Sequence, residues 1–280
     1  MASGFLRRHS ASLMLAPAML LLAVFFLWPV LDLVRGSFAH PDGSLGQYER
    51  VFSRPAYVLV LQRTFLISGL TVLICAVIAY PVAYRLATAS TTGKLVILAV
   101  ILIPFWTNLL VLCYGWLIIL SPTGTLNKAL TGIGLIDNPL PLSGNMAGVL
   151  IGMVQTMLPY MVLPVAANMA RIDPRIPQAA RSLGAPPLQV FLRTWLPLTM
   201  SGVIAGGLLV FIMSIGFFII PAILGGTKDI FIAQLIEMNI NKVLNWGFAA
   251  ALSTVVLVTT LVLYGVGVRW FGVDALWGRQ

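Results

Sequence analysis

Six segments of this chain, 13–34, 64–84, 95–119, 146–170, 198–224 and 246–268, are each long and apolar enough to span hydrocarbon. A bilayer core about 30 Å thick needs about 20 mainly apolar residues of helix to cross it. Continuous runs of that length read as helices, because barrel strands alternate in shorter stretches. Composition agrees. Of 280 residues, 59% are hydrophobic and 9% charged, leaving too little polar surface to coat a water-soluble globule and too much apolar surface for a disordered chain. The expected fold is all-α: a polytopic membrane protein with six transmembrane helices, organised as one transmembrane domain over 1–280. Arg7 and Arg8 precede the first run as they would in a signal peptide. That run exceeds a usual signal h-region and no firm cleavage site follows it, so it reads as an uncleaved span.

The net charge of +9 would suggest nucleic acid in a soluble protein. Here the basic residues sit in short stretches between apolar runs, which points to membrane lipid and orientation, with no nucleic acid expected. With the N-terminus inside, Arg7, Arg8, Arg85, Lys94, Arg171, Arg175, Arg181, Arg193, Arg269 and Arg279 are cytoplasmic. Arg35, Arg50, Arg54, Arg63, Lys128, Lys228 and Lys242 are then outside. The inner segments are also the shorter set, so their basic density is higher. Both termini are expected in the cytoplasm.

Chemistry at membrane depth is sparse. An intramembrane enzyme needs paired carboxylates, a nucleophile with a base, or metal ligands. His9 and His40 both fall outside the spans, and Asp32 is the one carboxylate near a span interior, with Arg35 one turn on as its expected partner. Cys75 and Cys113 lie in apolar runs without ligand spacing and read as packed thiols. No catalytic residue and no metal site is expected. An ion-coupled secondary transporter would place ionisable groups at the midplane, and none is present. Neutral polar and aromatic residues remain as candidates to line a pathway: Trp106, Thr107, Asn108, Tyr114, Gln155, Thr156, Tyr160 and Ser214. An organic cation can slide over aromatic faces without a fixed counter-charge. The competing reading gives these side chains interhelical hydrogen bonds and packing.

Pro17, Pro29, Pro104, Pro159, Pro164 and Pro221 fall within spans, each removing a backbone donor. They either kink helices for packing or bend them around a cavity. The pairs Gly148/Gly152 and Gly202/Gly206 allow close helix approach.

The stretch 171–197 carries the most information. Asp173 is placed to cap a helix that begins near Pro174. Ile176, Ala179, Ala180 and Leu183 recur at i, i+3, i+4 and i+7 as one apolar stripe. Gly184 stands where a helix ends with positive φ, and Pro186–Pro187 prevent its continuation. A short amphipathic helix, a glycine turn and a second helical piece entering the membrane are expected. Such a helix lies on headgroups or docks into a groove on a partner.

Residues 178–197, QAARSLGAPPLQVFLRTWLP, resemble the EAA loop of the membrane subunits of binding-protein-dependent ABC importers. That pattern is Glu-Ala-Ala, three residues, Gly, nine residues, Ile, one residue, Leu-Pro. Ala179, Ala180, Gly184, Leu196 and Pro197 match it, with Leu183 and Ala185 flanking the glycine. Gln178 and Thr194 depart from it. The resemblance extends from about the second span onward. IPFWTNLLVLCYGW (103–116), IDNPL (136–140), GFFIIPAILGG (216–226) and NWGFAAALS (245–253) are similar to spermidine/putrescine-type permeases, the first of the two permease subunits in such systems. Leu112 departs from that pattern, where many relatives carry arginine.

The resemblance implies a type I ABC importer permease fold in a bacterial inner membrane. It also implies a second homologous permease subunit, two ATPase subunits beneath the pair with the 171–197 loop as this chain's coupling element, and a periplasmic substrate-binding protein that delivers cargo. ATP and Mg belong to the ATPase: Gly93–Lys94 is followed by Leu95 and lacks the earlier glycine of a phosphate-binding loop, so this chain is expected to bind no cofactor. The implied cargo is a polyamine such as spermidine or putrescine. Similar permeases carry ferric ion, thiamine, phosphonates, opines or 4-aminobutyrate.

Overall fold

The computed structural model describes residues 16–38 and 45–271. Arg7, Arg8, His9, His40, Arg279 and the start of the first expected span lie outside the described residues. Twelve helices follow in order among those described. They are α1 (Ala16–Gly36), α2 (Gly46–Ser53), α3 (Pro55–Thr88), α4 (Thr91–Trp106), α5 (Leu109–Leu120) and α6 (Thr125–Gly132). Then come α7 (Met146–Met169), α8 (Arg175–Ser182), α9 (Pro187–Ile215), α10 (Ile219–Leu224), α11 (Ile232–Asn241) and α12 (Trp246–Phe271). Six helical stretches are long and apolar enough to cross a membrane: α1, α3, Leu109–Gly132, α7, α9 and Trp246–Gly267.

Two of the expected spans are interrupted. The third, read as continuous over 95–119, stops at Trp106 and restarts at Leu109. Thr107 and Asn108 are extended (ψ 134° and 129°), and Asn108 Oδ1 accepts the Leu110 N–H at 2.9 Å. Asn competes with the helix ladder by capping locally, so its side chain starts a new helix. The fifth, read over 198–224, ends at Ile215, passes through residues 216–218 and continues as α10. At its other end α9 begins eleven residues earlier than expected, through a π-helical turn at Phe191–Trp195.

The chain clusters into two units, Val58–Leu235 with Thr259–Gln280 and Met1–Tyr57 with Ile236–Val258. In the larger unit α7 is the central helix. Lipid gives helices no hydrophobic incentive to associate, so close packing of small residues does the work. A Cβ on Gly202 would lie 3.0 Å from the Pro164 carbonyl, and one on Gly206 2.9 Å from the Met161 sulfur, so both glycines let α9 press against α7. Gly152 serves α10 in the same way, where a Cβ would lie 3.0 Å from Ile220. Met153, Met157 and Met161 are fully buried along this seam. Cys75 and Cys113 are free and buried, as their apolar surroundings indicated. Cys75 Sγ donates to the Val154 carbonyl at 3.6 Å. Asn145 caps α7 by accepting from the Ala147 and Gly148 amides at 2.9 and 3.2 Å. α3 also carries Pro81 in its interior.

In the smaller unit the ring of Phe248, itself fully buried, stacks 5.0 Å from Tyr57 and receives the Arg50 guanidinium 4.7 Å from its centroid. Ser37 shares a hydrogen bond of 2.5 Å with the Tyr48 hydroxyl. Asp32 and Arg35, expected to pair, form no ion pair among the described residues; both are exposed. An exposed pair at a helix end gains too little to hold two side chains in one geometry.

Candidate functional site

The loop helix α8 begins where Asp173 Oδ1 accepts the Arg175 N–H at 2.8 Å. It ends in a closed C-terminal turn. Gly184 takes φ +83°, which lets the Ala185 amide reach back to the Ala180 carbonyl at 3.2 Å and the Gly184 amide reach the Arg181 carbonyl at 2.9 Å. A side chain at that φ carries a steric penalty that glycine escapes. Pro177 is the buried residue of this helix. The apolar stripe faces the other way: Leu183 is 88% exposed, Ile176 45%, Ala179 exposed and Ala180 half-buried. Gln178 is also exposed. Among the described residues nothing covers Ile176, Ala179 and Leu183 of the stripe.

The inward side of α8 closes a cavity of about 390 Å³ lined by Tyr80, Pro81, Tyr84, Arg181, Phe191 and Trp195, among others. Two edge-to-face pairs build it: Tyr80 with Phe191 at 5.5 Å, and Tyr84 with Trp195 at 5.6 Å. The Tyr80 hydroxyl is 2.9 Å from Thr199 Oγ1. These couple the end of α3 to the start of α9, where Leu196 and Pro197 continue the helix without a break. Sequence reasoning passed over the four aromatics. Their signal was the repeated i, i+4 spacing, 80/84 and 191/195, on segments that flank the loop.

The candidate pathway residues divide. Gln155 accepts from the Trp116 indole N–H, and Tyr160 packs on Phe105 at a centroid distance of 5.1 Å, so both tether α7 to the third span on either side of its break. Thr156 donates to the Gly152 carbonyl within its own helix at 2.9 Å. Ser214 is fully buried, and its hydroxyl finds no partner among the described residues. Trp106, Thr107 and Asn108 are exposed at the α4–α5 break, with Trp106 at 91%, and Tyr114, further along α5, is 59% exposed. Thr107 Oγ1 donates to the Ile103 carbonyl at 3.2 Å.

No family model matches the chain. It is 35% identical over 254 residues to the spermidine/putrescine transport system permease protein PotB of Escherichia coli, covering 87% of this chain and 92% of that protein. It is 29% identical over 252 residues to the inner membrane ABC transporter permease protein YdcU of Escherichia coli, covering 84% and 79%. A chain of the bacterial alginate ABC transporter, solved in complex with an alginate pentasaccharide-bound periplasmic protein, superposes with a TM-score of 0.76 at 16% identity, covering 96% of each. At that identity the likeness concerns the fold.

Proposed function

This chain belongs to the spermidine/putrescine-type permeases of ABC transporters, and from that membership we propose how it works in the inner membrane. It is a multi-pass permease subunit of an ATP-driven importer for spermidine or putrescine. A second, homologous permease supplies the other half of the pathway. Two ATPase subunits bind ATP and Mg beneath the two permeases, one of them docking on α8 from the cytoplasm, and a periplasmic binding protein delivers the polyamine. Both termini are cytoplasmic.

The observation that carries this reading is the outward apolar stripe of α8 ended by the Gly184 turn. An amphipathic helix whose Ile176, Ala179 and Leu183 stay exposed is suited to enter a groove. Its inward face is tied through Arg181 and the Tyr80, Tyr84, Phe191 and Trp195 packing to the starts and ends of two spans. Closure of an ATPase dimer would thus move α8, α3 and α9 as a body, alternating inward- and outward-facing states.

The test is co-expression with a second permease, an ATPase and the binding protein from the same genome. The complex should purify with one copy of each permease and two ATPases. Reconstituted, it should import radiolabelled spermidine only when ATP and the binding protein are both supplied. Transport by this chain alone, or import of a different solute with no response to polyamines, overturns the assembly or the cargo respectively.

A further inference from the structure

The cavity behind α8 lies between the end of α3, the inward side of α8 and the start of α9, all within the larger unit. Two spanning stretches finish at its level. Pro55–Thr88 ends one turn beyond Tyr84, and Pro187–Ile215 begins one turn before Phe191. At 29 residues the second stretch is about 43 Å long, matching the hydrocarbon and headgroup layers together, so its first turn falls among headgroups. Tyr84 and Phe191 are 41% and 38% exposed, so the rim of the cavity reaches the surface of the chain.

Three donors of the lining lack an acceptor. Among the described residues the Arg181 guanidinium, the Tyr84 hydroxyl and the Trp195 indole N–H form no hydrogen bond or ion pair. No carboxylate is at hand to serve them. α3 and α9 carry no acidic residue, and Asp173, the one acidic residue in 138–228, is engaged in capping α8. Arg85 and Arg193 are exposed within two residues of a lining aromatic and add positive charge. This balance repels the ammonium groups of a polyamine and attracts an anion. The rest of the wall is apolar: Pro81 and the Tyr80–Phe191 and Tyr84–Trp195 pairs. A free anion would leave that wall bare, whereas an anionic amphiphile answers both halves of the site.

We propose that this cavity holds one anionic phospholipid, its phosphate accepting from Arg181 and its acyl chain lying along the two aromatic pairs. A guanidinium presents two parallel N–H groups to phosphate oxygens. Tyr and Trp offer an apolar body with a polar tip at headgroup level. The volume of about 390 Å³ takes the phosphate and the upper part of a chain, while the remainder stays in the bilayer. The lipid then completes the packing between α8 and the two spans. The site does not depend on which cargo the importer carries.

The test uses the full chain purified in detergent, alone or within its importer, and counts retained lipid by native mass spectrometry. Phosphatidylglycerol, phosphatidylcholine and inorganic phosphate are the probes. Phosphatidylglycerol should be retained about tenfold more than phosphatidylcholine, and Arg181→Gln should lower its retention about tenfold. Arg181→Lys should lower it about threefold, since a point charge lacks the two-pronged grip. Arg193→Gln, on a turn beside the cavity but outside its lining, should stay within about twofold. Tyr84→Ala removes a wall and should lower retention about threefold; it decides the matter if Arg181→Gln does not purify. Equal retention of the two lipids, or unchanged phosphatidylglycerol retention in Arg181→Gln and Tyr84→Ala, overturns the site. Displacement of the lipid by inorganic phosphate that is retained in its place makes this a free-anion site and overturns the lipid assignment. Arg181-dependent retention in a protein that imports a solute other than a polyamine upholds the site and overturns the cargo reading alone.

Discussion

The Gly184 turn and the Thr107–Asn108 break both stop a helix, and they finish the job differently. At Gly184 the Arg181 and Ala180 carbonyls of α8 are met by the chain itself, through the Gly184 and Ala185 amides. At the end of α4 the Thr107 amide and hydroxyl turn back to the Pro104 and Ile103 carbonyls, and Asn108 caps the helix that follows. Both following or leading helices even share one cap geometry: Asp173 Oδ1 accepts from Arg175 N at 2.8 Å, and Asn108 Oδ1 from Leu110 N at 2.9 Å. A turn that satisfies itself leaves a rigid knob whose side chains are free for a partner. The loop is therefore suited to transmit force.

The contrast breaks first at Leu183. Leu183→Asp puts a charge on the stripe, and retention of the ATPase through purification should be lost, by about tenfold or more, because an unpaired charge is costly to bury in a docking groove. Undiminished co-purification would mean that the stripe lies on headgroups instead. Gly184→Val comes next. A Cβ there would meet nothing within 4 Å, so the penalty is backbone strain alone, about 1–2 kcal/mol. Uptake should fall about tenfold, with membrane insertion unchanged and Gly184→Asn milder, since asparagine tolerates positive φ. Equal uptake in the valine variant removes the need for a left-handed turn.

The two caps give a finer comparison. Asn108→Ala should lower the thermal midpoint of the purified complex by about 2–4 °C, from a lost cap worth about 1 kcal/mol. Asp173→Ala should lower it less, because water replaces the cap at an exposed loop. A larger shift for Asp173→Ala would mean that the loop cap, not the Asn108 cap, carries more of the fold. The smallest effect is expected for Gln178→Glu, which restores the residue usual in the EAA pattern. Gln178 is exposed and its side chain takes no part in closing the turn, so uptake should stay within about twofold, as for surface substitutions. A large gain would assign that position an ionic contact with the ATPase.

Much of this was legible without coordinates. Six apolar runs dictated an all-α membrane fold because hydrocarbon leaves the backbone no other partner. The order of Asp173, the 176/179/180/183 stripe, Gly184 and Pro186 specified α8 and its stop, since caps, periodicity and positive φ are local properties of the chain. The breaks were not legible. Apolar composition stays continuous across Trp106–Leu109 and across residues 216–218, and hydropathy measures partition into lipid, not continuity of the helix ladder. The Phe105–Tyr160 and Trp116–Gln155 tethers to α7 hold the two pieces on either side of the Asn108 cap. Likewise, only packing decided that Ser214 is enclosed, that Gln155 holds an indole, and that Tyr80 and Phe191, over a hundred residues apart in sequence, meet edge to face. These are long-range contacts, and a one-dimensional pattern records which groups need partners but not which partners they find.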